Sequence, residues 1–501
     1  MTSFYEKYIY AIPTIILMFA VGISFFRKLN HVDPSPSPIE AIKDNPQKIV
    51  STNEYEKITA STKKSMIKDK RIPQFFPGHA KRFNWKAFSW NFENGMSNSY
   101  ENNIKVEYRR SKIPSFMYTD SAFQKVSGDI INTEEIYASS TMFTLLKTIE
   151  ASKRTKTSYF YYLTYPLEGK LSRLLKSLKP SMPNFEMFFF DNDGDDNANK
   201  LKDDKNKSST FPFSSIWIGS KGVTTRLHYD IPNNLFVQIK GRKTFYIYPP
   251  SLNLKFYPYL HPAARKSRIL DILNNKTTDR SSLKEIEKYL QVYTLNEGDV
   301  LYIPGMFAHH VVSNDNAISV NTFAKSDILN LIEEIEKHPI PFESFWSETQ
   351  LQIGTSMWLH AILLHFYSDE KSIESFVAKF RKMSYIDYNV LNFKVLDSNF
   401  ECFDSKDKHL NENSKYKFID KTKFQTRLKS FIGIFEKYGF GNDGNINDEM
   451  GDIILIKQGQ IELILGRYLE NLIFNFVLND KERTGGHHNS VVSKFLKQCF
   501  M

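Results

Sequence analysis

Between Phe211 and Lys325 the chain passes through a series of short segments rich in Val, Ile, Phe, Tyr and Leu, written "SSIWIGS", "TRLHYDI", "LFVQIKG", "KTFYIYP", "VYTLNEGDVLYIP", "HHVVS" and "AISVNTF". Turn signals such as "KGRK", "NEGD" and "NDNA" punctuate them. Short strands broken by such turns predict a mainly β core closed as a double-sheet barrel, or jelly roll.

The flanks read differently. "IKVEYRR" alternates like a strand, "STMFTLLKTIEASKR" has helical spacing and "SYFYYLTYPL" follows. Beyond Ser326 the spacing is helical, in "DILNLIEEIEKH", "SMWLHAILLHFYSDEKSIESFVAKFRKM" and "IELILGRYLENLIFNFVL". The 501 residues exceed one hydrophobic core, and we expect an anchor at 1–30, a linker at 31–78, the β domain with its flanking helices at 79–325 and an all-α region at 326–501. The polar run "DNDGDDNANKLKDDKNKSST", 191–210, fails the calcium-loop pattern, because Asp196 stands where Gly is needed and Lys202 where Glu is needed. It reads as a disordered insertion.

From Tyr8 to Phe26 no residue is charged, and nineteen helical residues at about 1.5 Å each span a bilayer core. The expectation is a transmembrane helix and a single-pass membrane protein, placed in an endomembrane, the ER. The face stays open. Arg27 and Lys28 after the span favour a cytoplasmic body, whereas "NKS" at Asn206 and "NKT" at Asn275 are sequons of a lumenal chain.

Composition narrows the function classes. The formal charge of +10 comes from dispersed lysines without a dense Lys/Arg block, which makes nucleic acid the weaker partner reading. Two cysteines, Cys402 and Cys499, supply neither a disulfide framework nor a Cys-based zinc site.

Chemistry concentrates in "RLHYDIPNNLFVQIKGRKTFYIYPP", Arg226 to Pro250. Polar groups set in apolar strands are costly unless something binds them. Residues two apart share a strand face, so His228 and Asp230 point the same way. A third ligand is offered by His309 or His310 in "GDVLYIPGMFAHHVVS". Two histidines and one carboxylate leave open positions on an ion, the arrangement of non-haem Fe(II) oxygenases.

The segment resembles the JmjC and cupin-like Fe(II)/2-oxoglutarate oxygenases. It is most similar to the branch holding the asparaginyl hydroxylase that inhibits hypoxia-inducible factor and the wybutosine-pathway tRNA hydroxylase. The resemblance rests on "HYDIPNN", "QIKGRKTFYIYPP" and "GDVLYIPGMFAHHV". It implies a double-stranded β-helix, with Fe(II) held by His228, Asp230 and His309, the last preferred to His310. It implies that Lys243 pairs with the distal carboxylate of the cosubstrate 2-oxoglutarate, and that Thr225, Asn234 and Asn321 line its pocket. Tyr162 is chosen as the tyrosine joining Lys243, with Tyr161 and Tyr165 as alternatives. Ala308 departs from the family's aromatic before the third ligand and implies a smaller pocket wall. Trp217, Tyr246 and Tyr302 are expected in the core.

The activity implied is a dioxygenase that consumes 2-oxoglutarate and O2 and hydroxylates a polypeptide side chain while anchored in a membrane. A tRNA hydroxylase or a lysine demethylase is the alternative within the family. Outside it stands a non-catalytic cupin scaffold assembling through its helical tail, and the apolar "IELILGRYLENLIFNFVL" could also carry a homodimer.

Overall fold

The computed structural model describes residues 71–116, 136–154, 159–178, 213–252, 289–340, 343, 345–367, 371–373, 375–376, 419–440 and 456–468. The expected anchor and insertion lie outside these residues, as does the linker up to residue 70.

Thirteen strands follow one another along the described chain. They are β1 (Gln74–Phe76), β2 (Lys105–Ser111), β3 (Ser115–Phe116), β4 (Ile136–Thr141), β5 (Phe160–Pro166), β6 (Phe213–Gly219), β7 (Thr224–Tyr229), β8 (Asn233–Lys240), β9 (Lys243–Tyr248), β10 (Gln291–Leu295), β11 (Val300–Ile303), β12 (Ala308–Ser313) and β13 (Ala317–Ala324). They form an eight-stranded sheet, β1-β11-β8-β13-β6-β5-β2-β4, and a five-stranded sheet, β10-β9-β12-β7-β3. Pairing is antiparallel except between β3 and β7. The strand β1 lies within the stretch read as linker and pairs with β11.

The central strands of the larger sheet are buried on both faces. Every residue of β13 is buried. On the outer face Ile216, Ile218, Leu235, Val237 and Val320 pack with Met142, Leu145, Leu146 and Ile149 of the helix α1 (Met142–Arg154). That helical spacing puts four apolar side chains on one stripe, each contributing about 1.5–3 kcal/mol by burial. On the inner face Phe236 meets Phe245, Ile247, Leu295 and Val311, from β8, β9, β10 and β12. The site lies in this inner layer.

Beyond the barrel stand α2 (Asp327–Lys337), α3 (Glu348–Phe366) and α4 (Lys421–Lys437), with residues 456–468 also helical. Ser326, Ser347 and Asp420 cap the first three, each accepting from a backbone N–H three residues on, as helix N-termini require. Ile328, Leu331, Ile332 and Ile335 of α2 form one core with Trp358, Leu363, Phe431, Leu463 and Ile464. Leu463 and Ile464 belong to the segment offered for dimerisation and fill the chain's own core.

The membrane localisation needs correction. Among the described residues no helix is long and apolar enough to cross a membrane. The longest, α3, places Trp358, Leu359, Ile362 and Leu363 in the protein core, so these four side chains are satisfied by packing. The ER assignment is withdrawn with it.

Candidate metal and 2-oxo acid site

The strands β7 and β12 run antiparallel with His309 directly opposite His228. The next pair in register is Val311 with Thr225, so Arg226 and Leu227 together face only His310. This is a β-bulge: one extra residue on β7 turns Thr225 and His228 to the same side although they are three apart. Asp230 follows β7 immediately. Ligand atoms of His228, Asp230 and His309 all lie within 4.8 Å of one another.

The imidazoles are oriented for ligation. The Nδ1–H of His228 donates to the Arg226 carbonyl oxygen at 2.7 Å, and that of His309 to the Phe307 carbonyl oxygen at 3.0 Å. Each neutral ring then keeps an unprotonated Nε2, the tautomer that a metal requires. The rings are 4.3 Å apart between centroids, and His309 Nε2 stands 3.7 Å from the Asp230 carboxylate. That exceeds a hydrogen bond, so the two groups flank common space. His310 lies against Tyr246, with ring centroids 6.0 Å apart, and is not part of the cluster.

The same cavity is lined by Tyr162, Trp217, Thr225, Asn234, Phe236 and Lys243 beside the three ligands. Lys243 is 3% exposed. Burial pushes its ammonium down to about 7, and among the described residues it has no carboxylate partner; its Nζ lies 5.3 Å from the Phe236 ring centroid. The hydroxyl of Thr225 is buried without a hydrogen-bond partner among the described residues. A buried cation and an orphaned hydroxyl are costly alone and fit an anion with acceptor oxygens. These residues therefore fit a carboxylate at one end and a metal at the other.

Asn321 stands behind the lining, and its role is legible from donor and acceptor logic. The Trp217 indole can only donate, and it donates to Asn321 Oδ1 at 2.7 Å. Asn321 must then donate through Nδ2, which it does to Asn234 Oδ1 at 2.9 Å. Asn234 is left with its amide N–H groups for the cavity. Trp217, expected in the core, is thus a wall residue, whereas Tyr302 is fully buried in the outer layer. Of the three tyrosines, Tyr162 lines the cavity while Tyr161 and Tyr165 pack in the outer layer. Ala308 does not touch the cavity wall. It packs with Leu227, Tyr248 and Leu252, because strand alternation turns it away from His309, and its small size leaves the pocket unchanged.

Because the Thr225 hydroxyl bonds nothing here, Thr225→Val is expected to leave thermal stability unchanged or slightly raised. If the cavity takes 2-oxoglutarate through this hydroxyl, the same change would weaken its binding roughly tenfold, the loss expected for a hydrogen bond to a charged group. Calorimetric titration with metal present measures this.

A model of the cupin-like domain family matches residues 58–327, more than half of the chain. Among curated proteins, tRNA wybutosine-synthesizing protein 5 of Gallus gallus is 37% identical over 114 residues, 23% of this chain and 34% of the relative. Lysine-specific demethylase JMJ30 of Arabidopsis thaliana is 33% identical over 107 residues, 21% of this chain and 24% of the relative. HSPB1-associated protein 1 homolog of Danio rerio is 32% identical over 121 residues, 23% and 26% respectively. The matches span about a third or less of these relatives' length. With a two-sheet core, a two-histidine, one-carboxylate cluster between the sheets and a family match across that core, the chain belongs to the cupin-like, JmjC-type family.

Proposed function

We propose that this chain is an Fe(II)- and 2-oxoglutarate-dependent dioxygenase that hydroxylates a polypeptide side chain. One observation carries the reading: a two-histidine, one-carboxylate cluster and a buried lysine with no carboxylate partner among the described residues share one cavity. The roles proposed are metal ligation by His228, Asp230 and His309, and carboxylate recognition by Lys243, Thr225 and Tyr162. Asn234 presents its N–H donors to the acid, and Asn321 acts through it. A non-catalytic scaffold has no use for an unpaired ammonium in its core, which costs stability.

Bound there, iron and 2-oxoglutarate supply oxidative decarboxylation of the acid to succinate, coupled to insertion of one O2 oxygen into a substrate C–H bond. The chain's own share is positional. His228 and His309 through Nε2 and Asp230 through its carboxylate would hold the metal, a three-ligand protein set that would leave further positions open to ligands. Lys243 sits among Phe236, Phe245 and Val311, apolar walls that exclude water and strengthen its attraction for an anion. The trans-strand pairing of His228 with His309 holds two ligands on a rigid ladder.

Support for a polypeptide substrate is the absence of a dense basic block in the sequence. A tRNA substrate is the second reading, supported by the formal charge of +10 and the 37% identity with the wybutosine-synthesizing protein. The name of the Arabidopsis relative supports lysine demethylation as a third outcome of the same assay. The proposed domains are a catalytic barrel at 79–325, to which β1 of the preceding stretch adds a strand, and a helical region at 326–501, with self-association through the latter.

The test is anaerobic loading with Fe(II), then air and 2-oxoglutarate with peptide pools or tRNA, reading succinate and product mass. A polypeptide that gains one oxygen supports the proposal, and release of formaldehyde identifies demethylation. Oxygen gained by tRNA alone shifts the assignment to the second reading.

A further inference from the structure

Asp230 is the one candidate ligand outside a strand, so something other than sheet pairing must fix it. Its own carbonyl oxygen accepts from the Met306 N–H at 2.6 Å. The carbonyl oxygen of the next residue, Ile231, accepts from the Ser326 hydroxyl at 2.7 Å. That hydroxyl is also the N-cap of α2, accepting from the Leu329 N–H at 3.0 Å. One side chain therefore ties the helix start to the loop that carries the carboxylate.

The packing runs the same way. Tyr229 and Ile231, on either side of Asp230, are buried in the core of the helical region, with Leu331, Ile335, Trp358, Phe431 and Leu463. Met306 joins them from the turn between β11 and β12. Its φ of 67° is unfavourable for a side chain, and a strained residue persists only where its surroundings over-determine it. Gly305 before it has no room for a Cβ, which would stand 2.3 Å from the Ile231 carbonyl oxygen. Its N–H donates to Asn233 Oδ1 at 3.0 Å.

We infer that the C-terminal helical region is a working part of the metal centre: through Ser326 and Met306 it sets the position of Asp230, and Ser326 is a positioning residue for metal binding. The inference rests on the metal-site reading above. Groups that orient ligands from behind typically alter metal affinity by roughly 10–100-fold when removed.

Co(II) titration of the full chain, followed by its visible absorption, tests this with Ser326→Ala, Ser326→Thr and Ser347→Ala. Ser347 caps α3 through its own capping box, so its loss costs a similar cap without touching the Asp230 loop. The expected result is about tenfold weaker Co(II) binding and an altered spectrum in Ser326→Ala, restoration in Ser326→Thr, and wild-type binding in Ser347→Ala despite a lower Tm. If Ser326→Ala does not fold, Met306→Ala, which keeps the N–H and trims the anchor in the helical core, is expected to weaken Co(II) binding likewise. Wild-type affinity in the Ser326→Ala or Met306→Ala variant, or equal weakening in Ser347→Ala, overturns the inference alone. Wild-type protein that takes up no Co(II) overturns the metal-site reading and the inference with it.

Discussion

Asp230→Ala protein is expected to remain folded and to lose specific metal binding, by about a hundredfold or more in Co(II) affinity, with succinate production falling to background. The carboxylate is the only anionic member of the cluster. Without it the ion meets two neutral imidazoles, a weaker and less selective donor set. Folding survives because the structural bond at this position belongs to the backbone: the Asp230 carbonyl oxygen, not its side chain, accepts from Met306. Circular dichroism and a Co(II) titration on the same preparation separate the two effects. Stoichiometric metal uptake by the variant would remove Asp230 from the site.

Lys243→Met is expected to do two opposite things. Wild-type Lys243 titrates near 7 in the folded chain, against an ordinary value of 10.5, because burial disfavours its charged form. With a folded-state value below the unfolded one, the folded protein binds fewer protons between these limits, so stability without ligand rises as pH climbs from about 7 to about 10.5. Below about 7 the ammonium is charged in both states and the full cost of burying it applies. Methionine removes that cost, so the variant should be more stable by a few kcal/mol at or below neutral pH and should lack the alkaline rise. Binding of 2-oxoglutarate should weaken by about a hundredfold or more, the consequence of leaving a buried carboxylate unpaired. In the wild type this affinity should also fall as pH rises above 7, since only the protonated lysine attracts the acid. Thermal melts and 2-oxoglutarate titrations across pH read both effects. A variant that binds the acid as tightly as wild type would show that the anion sits elsewhere.

The parts of this site that follow from local periodicity were legible in the sequence. The shared face of His228 and Asp230 could be read from alternation, whereas the choice of His309 over His310 comes from the family resemblance; the three now lie within 4.8 Å of one another. Thr225 could not be placed by counting, because an odd separation from His228 puts it on the wrong face unless a bulge intervenes, and the bulge shows only in the register against His309 and Val311. Trp217 reads as core in the sequence, where an indole in an apolar strand has no visible partner. Its partner Asn321 is brought beside it by the pairing of β6 with β13. The significance given to Ala308 failed for the reverse reason: alternation turns it away from the cavity into the cluster of Leu227 and Tyr248. The grip of the helices on the Asp230 loop joins residues 231 and 326, and contacts that distant leave no periodic trace.

The proposed chemistry requires one cavity to hold a metal and a 2-oxo acid together. Anaerobic addition of one equivalent of Fe(II), then 2-oxoglutarate, followed by visible absorption, tests it most directly. A charge-transfer band of the iron–2-oxo acid chelate, saturating at one iron per chain and absent from Asp230→Ala, is the predicted result. Wild-type protein that shows no such band, or an equal band in Asp230→Ala, would contradict the account.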